Sequence, residues 1–494
     1  MRPYEEVFAL YQDIKAIQSS ISLLNWDQQL LMPKGGLNAR SEHLLRLTKL
    51  KHAKLTCDDF SRKIEEAMSE ASEFEQAQLR PLTVEISKAK KLPAWLVQRK
   101  ASSSSDAYDQ WRTSRSSNDY ESMIPHYTDL FDIARETAEL YGYKENPYDA
   151  LIDIYEEGST YLEAKDLFDD IKQPTIDLIS RIKTEGRPID DAFLTRDWDQ
   201  PRLKVAMERI INQIGFKLDS GRLDIAANAF CTNLSIDDVR MTTRPSDHFR
   251  GIVSSTLHEM GHGLYEQNQR KDWETSPICG GVSLAVHESQ SRTWENVIGR
   301  SRSFWDYFWI WFREQFPFLK EIQTDDFWRA YNKVEPGLIR VGSDELHYNL
   351  HILVRFEIES DVIANRLAIK DIPDCWNSKY QEYFGVTPPN NTQGCLQDVH
   401  WSRGSIGYFP TYTYGNLIGV QIWNRLVVEV DDVNNLMETG NYRPILDWLI
   451  ERVYGYGKLI RPKELIENIA GVPLSAKPWM DYATQKFTNI YDLK

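Results

Sequence analysis

Cysteine is scarce in this chain of 494 residues: only Cys57, Cys231, Cys279, Cys375 and Cys395. Their odd number, wide scatter and lack of any C-x-x-C pair exclude a disulfide framework and a thiolate zinc site. Positive charge is also short, with 58 Lys and Arg against 73 Asp and Glu and a formal net charge of −15. With no basic stripe to displace phosphate counterions, nucleic acid is excluded as a partner. No apolar run approaches the roughly 18 residues that would span a membrane. The first residues, Met1-Arg-Pro-Tyr-Glu-Glu, place acids where a secretory signal would have its apolar core. A cytoplasmic protein with no membrane partner is expected. Long alternating strand patterns are few, and no repeat of 20–50 residues is present, which excludes a solenoid.

What is plentiful is apolar and aromatic surface. Hydrophobic residues make up 41% of the chain and aromatics 12%, including 15 Trp, enough for a large core with broad helix-packing faces. Val7, Phe8, Tyr11, Ile14, Ile17 and Ile21 recur at helical spacing, as do Leu130, Ile133, Ala134, Ala138 and Tyr141. The fold class is therefore mainly α with few short strands, expected as a single large helical body over residues 1–494. The run Ala101-Ser-Ser-Ser-Ser-Asp106 reads as a loop, a helix cap or a flexible break.

The chemistry gathers around His258-Glu259-Met260-Gly261-His262. Side chains four apart on an α-helix stand on one face, so two imidazoles can grip one ion there, with Glu259 placed to meet a water on it. Ile252, Val253, Leu257, Met260 and Leu264 put the pentapeptide mid-helix, with Asp247 as an upstream cap. Gly261 and Gly263 each cost about 1 kcal/mol in a helix relative to Ala. Such glycines point to something approaching the backbone closely.

A catalytic zinc takes three protein ligands and keeps one open position. Asn268 stands where a metzincin would carry its third His. Glu266 would lie about 12 Å along the helix axis from His258, too far when ligand bonds are about 2 Å. The third ligand must come from a second helix, and the segment from Val286 to Ile298 offers both Glu288 and Glu295 on one face. Spacing does not choose between them.

Further on, Arg340, Asp344, His347 and His351 are spaced 4, 3 and 4 apart, a polar stripe expected on one helix beside Leu346, Leu350 and Leu353. An Arg fork suits a substrate carboxylate, and Asp344 could orient it. The loop from Gly394 to Gly415 carries His400, Tyr408, Tyr412 and Tyr414, donors of the kind aimed at a tetrahedral oxyanion.

Together these segments resemble the carboxypeptidase Taq family of zinc metallocarboxypeptidases. Asp238-Val-Arg240-Met-Thr242 matches that family's D-x-R-x-T, His258 to His262 its H-E-x-x-H, and His287-Glu288-Ser289-Gln290 its H-E-S-Q. Ile339-Arg340-Val-Gly-Ser-Asp344 is similar to I-R-x-x-A-D, and Gly394 to Trp401 to G-x-x-Q-D-x-H-W. The resemblance extends from Asn25-Trp26-Asp27 to Leu446-Asp447-Trp448, nearly the whole chain. It implies Glu288 as third ligand, Zn²⁺ as metal with Co²⁺ able to substitute, and a homodimer. It further implies a long deep groove, one wall formed by residues 1–230, with metal and substrate segments in 238–415. The chain departs from the family at Asn228-Ala229-Phe230, where His-Pro-Phe is usual, and at Ser343, where Ala is usual.

The expected activity is hydrolysis of single residues from peptides with a free C-terminus, with broad specificity. His258, His262 and Glu288 are the expected metal ligands and Glu259 the general base. His400, Tyr408 and Tyr412 are expected to assist catalysis, and Arg340, Asp344, Asp238, Arg240 and Thr242 to bind substrate. A dipeptidyl carboxypeptidase, an oligoendopeptidase and a catalytically weakened binding homologue would all fit the same metal site.

Overall fold

The computed structural model describes residues 2–195, 198–244 and 248–494. Among the described residues there are twenty α-helices and one three-stranded sheet, the mainly α class that the periodicity implies. The chain forms two compact units, each assembled from three separate stretches. Unit 1 is Met1–Lys90, Asp190–Tyr331 and Ile422–Pro473; unit 2 is Lys91–Ile189, Asn332–Gln421 and Leu474–Lys494. Because neither is continuous in sequence, no shift of composition marks a boundary. No helix among the described residues is long and apolar enough to cross a membrane, and all five cysteines are free.

In unit 1 the first helix, Pro3–Leu30, turns Val7 and Ile14 onto Phe60, Ile64, Leu79, Leu82 and Ile86. These are spacings of 3, 4 and 7, the inward stripe of packed amphipathic helices. The sheet comprises β1 (Gly221–Ile225), β2 (Phe230–Ser235) and β3 (Asp238–Thr243). β3 lies in the middle, parallel to β1 with Arg222 opposite Arg240, and antiparallel to β2 with Cys231 opposite Met241.

β3 leads into the helix Phe249–Gln267, which carries the H-E-x-x-H pentapeptide. Thr243 joins the two elements through its hydroxyl, 2.8 Å from Ser255 Oγ and 3.1 Å from Thr256 Oγ1. The cap expected at Asp247 lies outside the described residues; His248 is the N-cap, its Nδ1 accepting from the Arg250 N–H at 3.1 Å. Ile252, Val253, Leu257, Met260 and Leu264 are all fully buried, each contributing up to about 1.5–3 kcal/mol. At its start, Phe249 sits among Trp198, Trp305, Phe312, Phe327 and Tyr331 at ring separations of 4.9–6.1 Å. This aromatic cage fixes the helix that carries His258 and His262.

In unit 2 the serine run is no break: residues 101–106 lie inside the helix Ala94–Ser117. Serine is only mildly unfavourable in a helix, and Ser103 joins Arg99 in gripping Asp129 on a neighbouring helix. The expected helical stripe from Arg340 to His351 is also corrected. Arg340–Gly342 is a separate 3₁₀ turn, Ser343 is extended, and the α-helix runs from Glu345 to Ile363. Asp344 is its N-cap, accepting from the N–H groups of Leu346 and His347. An Asp there answers two of the orphan donors of a helix start, so the 4-3-4 spacing ran across a helix boundary.

Candidate metal centre

His258 and His262 project from one face of their helix, four residues apart. Glu288 comes from a second helix, Leu284–Arg292, capped by Ser283 through the Val286 N–H at 3.1 Å. Glycine brings the two helices together. A Cβ at Gly261 would lie 2.5 Å from Ser291 Cα and 2.6 Å from the Gln290 carbonyl oxygen; one at Gly263 would meet the Phe216 ring at 2.7 Å. This is the close approach that two helical glycines implied.

Each histidine Nε2 lies 3.6 Å from Glu288 Oε2, and one donor atom from each of the three side chains falls within 4.8 Å of the others. Ligands at about 2.0–2.1 Å in tetrahedral array stand about 3.3 Å apart, so the set fits a divalent ion with little adjustment. The outward nitrogens are already committed: His258 Nδ1 is 3.0 Å from Glu295 Oε2, and His262 Nδ1 is 2.6 Å from His287 Nδ1. His287 in turn reaches Glu266 through Nε2 at 2.7 Å. If each Nδ1 of the pair carries its proton outward, both Nε2 lone pairs are left for a metal.

Glu295 therefore engages the outward nitrogen of His258 and is not one of the three side chains whose donor atoms converge. It lies in a π-helical turn, Thr293–Ile298, that follows directly on the Glu288 helix, and receives Arg292 Nη1 at 3.1 Å and Arg300 Nη2 at 3.4 Å. Burial works against its charge, but Arg292, His258 and Arg300 hold its pKa down at about 2. The other Glu288 oxygen, Oε1, accepts from Arg292 Nε at 2.7 Å. That leaves Oε2 toward the imidazoles.

Electrostatics separates the two histidines. Burial alone would lower His258, yet Glu288 and Glu295 carry it above its ordinary pKa. His262 is pushed well below, first by burial and then by His287 and His258. Glu259 is 6% exposed; burial raises its pKa to about 7, with Glu288 and Glu295 adding and His258 opposing. A carboxyl poised there is matched to proton transfer near neutral pH.

The strand motif divides. Asp238 and Arg240 form a two-point ion pair at 2.8 Å, with the guanidinium 4.4 Å from the centre of the Trp26 ring. Thr242, expected among the substrate contacts, is fully buried. Its hydroxyl accepts from the Phe230 N–H and donates to the Asn228 carbonyl, holding β2 and the preceding turn to β3. Asn228, the departure from the family pattern, contributes its backbone to that bond.

In unit 2 the carboxylate gripping Arg340 is Asp398, not Asp344. Arg340 Nε and Nη2 donate to Asp398 Oδ1 at 3.1 and 2.8 Å, and Nη1 to the Tyr348 hydroxyl at 3.0 Å. Asp398 Oδ2 accepts from Arg355 Nε at 2.6 Å. Asp344 spends its second oxygen on His347 Nδ1 and the Glu335 N–H. His400 Nε2 stands 3.1 Å from the Tyr412 hydroxyl, with Tyr408 packed on its ring at 5.5 Å. Burial depresses His400 to about 3, so it is neutral. Asp398 and Gln397, which accepts from the Arg340 N–H at 2.9 Å, stood inside a quoted motif without an assigned role. Arg355 continues the i, i+4 row of His347 and His351, and that spacing was its one available signal.

Two imidazoles and a carboxylate converging on one point, beside a carboxyl raised toward neutrality, define a helical metal-dependent hydrolase. The chain belongs to the family described as carboxypeptidase Taq (M32) metallopeptidase, whose profile matches residues 6–487. It is 33% identical over 492 residues to carboxypeptidase 1 of Bacillus subtilis, covering 99% of this chain and 98% of the relative. To thermostable carboxypeptidase 1 of Thermus thermophilus it is 35% identical over 506 residues, 99% of each chain. Its fold matches the crystal structure of an M32 carboxypeptidase from Deinococcus radiodurans with a TM-score of 0.97 at 32% identity, over 100% of both chains. A structure of Pyrococcus furiosus carboxypeptidase described as apo-Mg matches with a TM-score of 0.96 at 33% identity, over 99% of each. The chain is thus a metallocarboxypeptidase, with peptides as substrates and a divalent metal as cofactor.

Proposed function

We propose that this metallocarboxypeptidase releases single amino acids from the free C-terminus of peptides with broad specificity, using Zn²⁺ held by His258, His262 and Glu288. Co²⁺ is a workable substitute. The enzyme acts in the cytoplasm as a homodimer. The observation that carries the reading is the donor set itself: two Nε2 atoms each 3.6 Å from one Glu288 oxygen, with both Nδ1 atoms already engaged. Three protein ligands are the number a catalytic zinc takes, against four for a structural one.

When bound, the metal supplies Lewis acidity, lowering the pKa of water toward about 7 and polarising the scissile carbonyl. Glu259 takes the proton of the attacking water at its carboxylate and returns it to the departing amine. Arg340 receives the substrate's terminal carboxylate. Three of the five guanidinium N–H groups are committed to Asp398 and Tyr348, and two remain for an oxyanion. Asp398 takes over the orienting role first given to Asp344. Neutral His400 and the hydroxyls of Tyr408 and Tyr412 donate to the peptide or to the oxyanion as it forms. The Asp238–Arg240 pair is a further substrate contact.

Glu259→Gln tests the proton-transfer step. The variant is expected to bind Co²⁺ with the wild-type visible spectrum while losing about 10²–10⁴-fold in kcat, the usual worth of an acid–base group. Near-normal turnover would sink the assignment.

A further inference from the structure

Glu359 lies deep in unit 2, on the helix Glu345–Ile363, and is fully buried. Burying a carboxylate costs several kcal/mol even after relaxation. Among the described residues, none of its hydrogen bonds goes to a cation; Arg355, one turn earlier, donates to Asp398 and to the His351 carbonyl. Three neutral donors meet Glu359 instead. Oε1 accepts from Trp401 Nε1 at 2.8 Å, and Oε2 from the Gly407 N–H at 3.0 Å and the Tyr148 hydroxyl at 2.5 Å.

The three donors are not a random set. Trp401 directly follows His400, and Gly407 directly precedes Tyr408. Between them the chain makes a 3₁₀ turn, Trp401–Arg403, closed by Gly404 at φ +64°. At Gly407 φ is +90°, and a Cβ would lie 2.7 Å from the backbone of Leu151. Leu151 and Tyr148 belong to the same short helix, Pro147–Ile152. The Tyr155 ring packs edge-on against Tyr408 at 5.1 Å. One buried carboxylate thus fastens both ends of the 401–407 loop to a helix at one side and to Tyr148 at the other.

We propose that Glu359 is a positioning residue for the reaction, holding His400 and Tyr408 at the two ends of this loop in fixed register. The proposal rests on the reading that His400 and Tyr408 meet the substrate. An apolar residue could fill the same space at no desolvation cost, but it could not accept from the Trp401 ring and the Gly407 backbone together. Burial raises the pKa of Glu359 to about 7 in spite of the three donors.

Glu359→Gln puts one amide N–H₂ against a donor and is the direct test; Tyr148→Phe, which removes one donor and keeps the ring, is the milder second variant. Hydrogen exchange of residues 399–409 and steady-state kinetics on one peptide are read in each. The expected result is faster exchange in the loop and a kcat lowered about 10-fold or more, toward the roughly 10²-fold that a 1 Å misplacement costs. KM should stay within about 2-fold where the displaced donors meet the oxyanion, which exists only in the transition state, and should rise where they meet the bound peptide; bound metal should be unchanged. Loop protection equal to wild type in both variants overturns the role of Glu359. Faster exchange with unaltered kcat overturns the underlying reading instead: the loop is pinned by Glu359 but not used in the reaction.

Discussion

Gly261→Ala should damage the metal centre without unfolding the protein. The added Cβ would lie 2.5 Å from Ser291 Cα, 2.6 Å from the Gln290 carbonyl oxygen and 2.9 Å from the Gln290 carbonyl carbon. All three are backbone atoms, so no side chain can rotate away. Ordinary contact begins at 3.4 Å, and 3.4 − 2.5 leaves about 0.9 Å by which the helices must separate at this point. Glu288 stands three residues before Ser291 on the displaced helix, whereas ligand distances tolerate only about 0.2 Å. Alanine returns about 1 kcal/mol of helix propensity against about 1–3 kcal/mol for overpacking, so the fold should lose no more than about 2 kcal/mol. Zinc affinity should fall by more than the roughly 10–100-fold typical of a lost supporting contact. Competition with a chromophoric chelator measures it, circular dichroism checks the fold, and Gly337→Ala, with nothing within 4 Å of the new methyl, is the control. Wild-type zinc affinity in Gly261→Ala would refute the claim that helix contact at this glycine sets the site.

His287→Ala removes the group facing His262 Nδ1 and should weaken zinc binding about 10–100-fold, with His287→Gln recovering part of it through its carbonyl oxygen; unchanged chelator competition would contradict this. For Glu359 the folded pKa of about 7 lies above the ordinary 4.5, so the native state binds the proton more tightly than the unfolded chain. Stability relative to Glu359→Gln should therefore fall as pH rises through this window, by about 2.5 units × 1.4, or about 3.5 kcal/mol in all, of which about 2.5 kcal/mol falls between pH 5 and pH 8. Denaturant unfolding of both proteins at pH 5 and pH 8 reads that difference, and a gap independent of pH would show the carboxyl to be unstrained.

The pairing of His258 and His262 on one helical face was legible because its geometry is local: four residues along one helix suffice. The choice between Glu288 and Glu295 was not, because seven residues apart they share a helical face. What separates them is tertiary, a π turn and two arginines that draw Glu295 to His258 Nδ1. The Arg340 stripe misled for the opposite reason. Its periodicity was real in sequence but crossed a helix start, where Asp344 serves as a cap and Asp398, more than fifty residues on, supplies the partner. Helical content was readable from apolar spacing throughout, and the serine run, whose composition left loop, helix cap and flexible break all open, lies inside a helix, so composition is weaker evidence than periodicity. The two-unit organisation was hidden because each unit collects distant stretches of chain.

The most direct test is to incubate the zinc-loaded enzyme with one peptide in two forms, free at its C-terminus and amidated, and to follow the products by mass spectrometry. The expected result is a ladder of single-residue losses from the free acid, none from the amide, and none from either after chelation. Release of dipeptides, or internal cuts in both forms, would contradict single-residue carboxypeptidase action at the His258–His262–Glu288 centre.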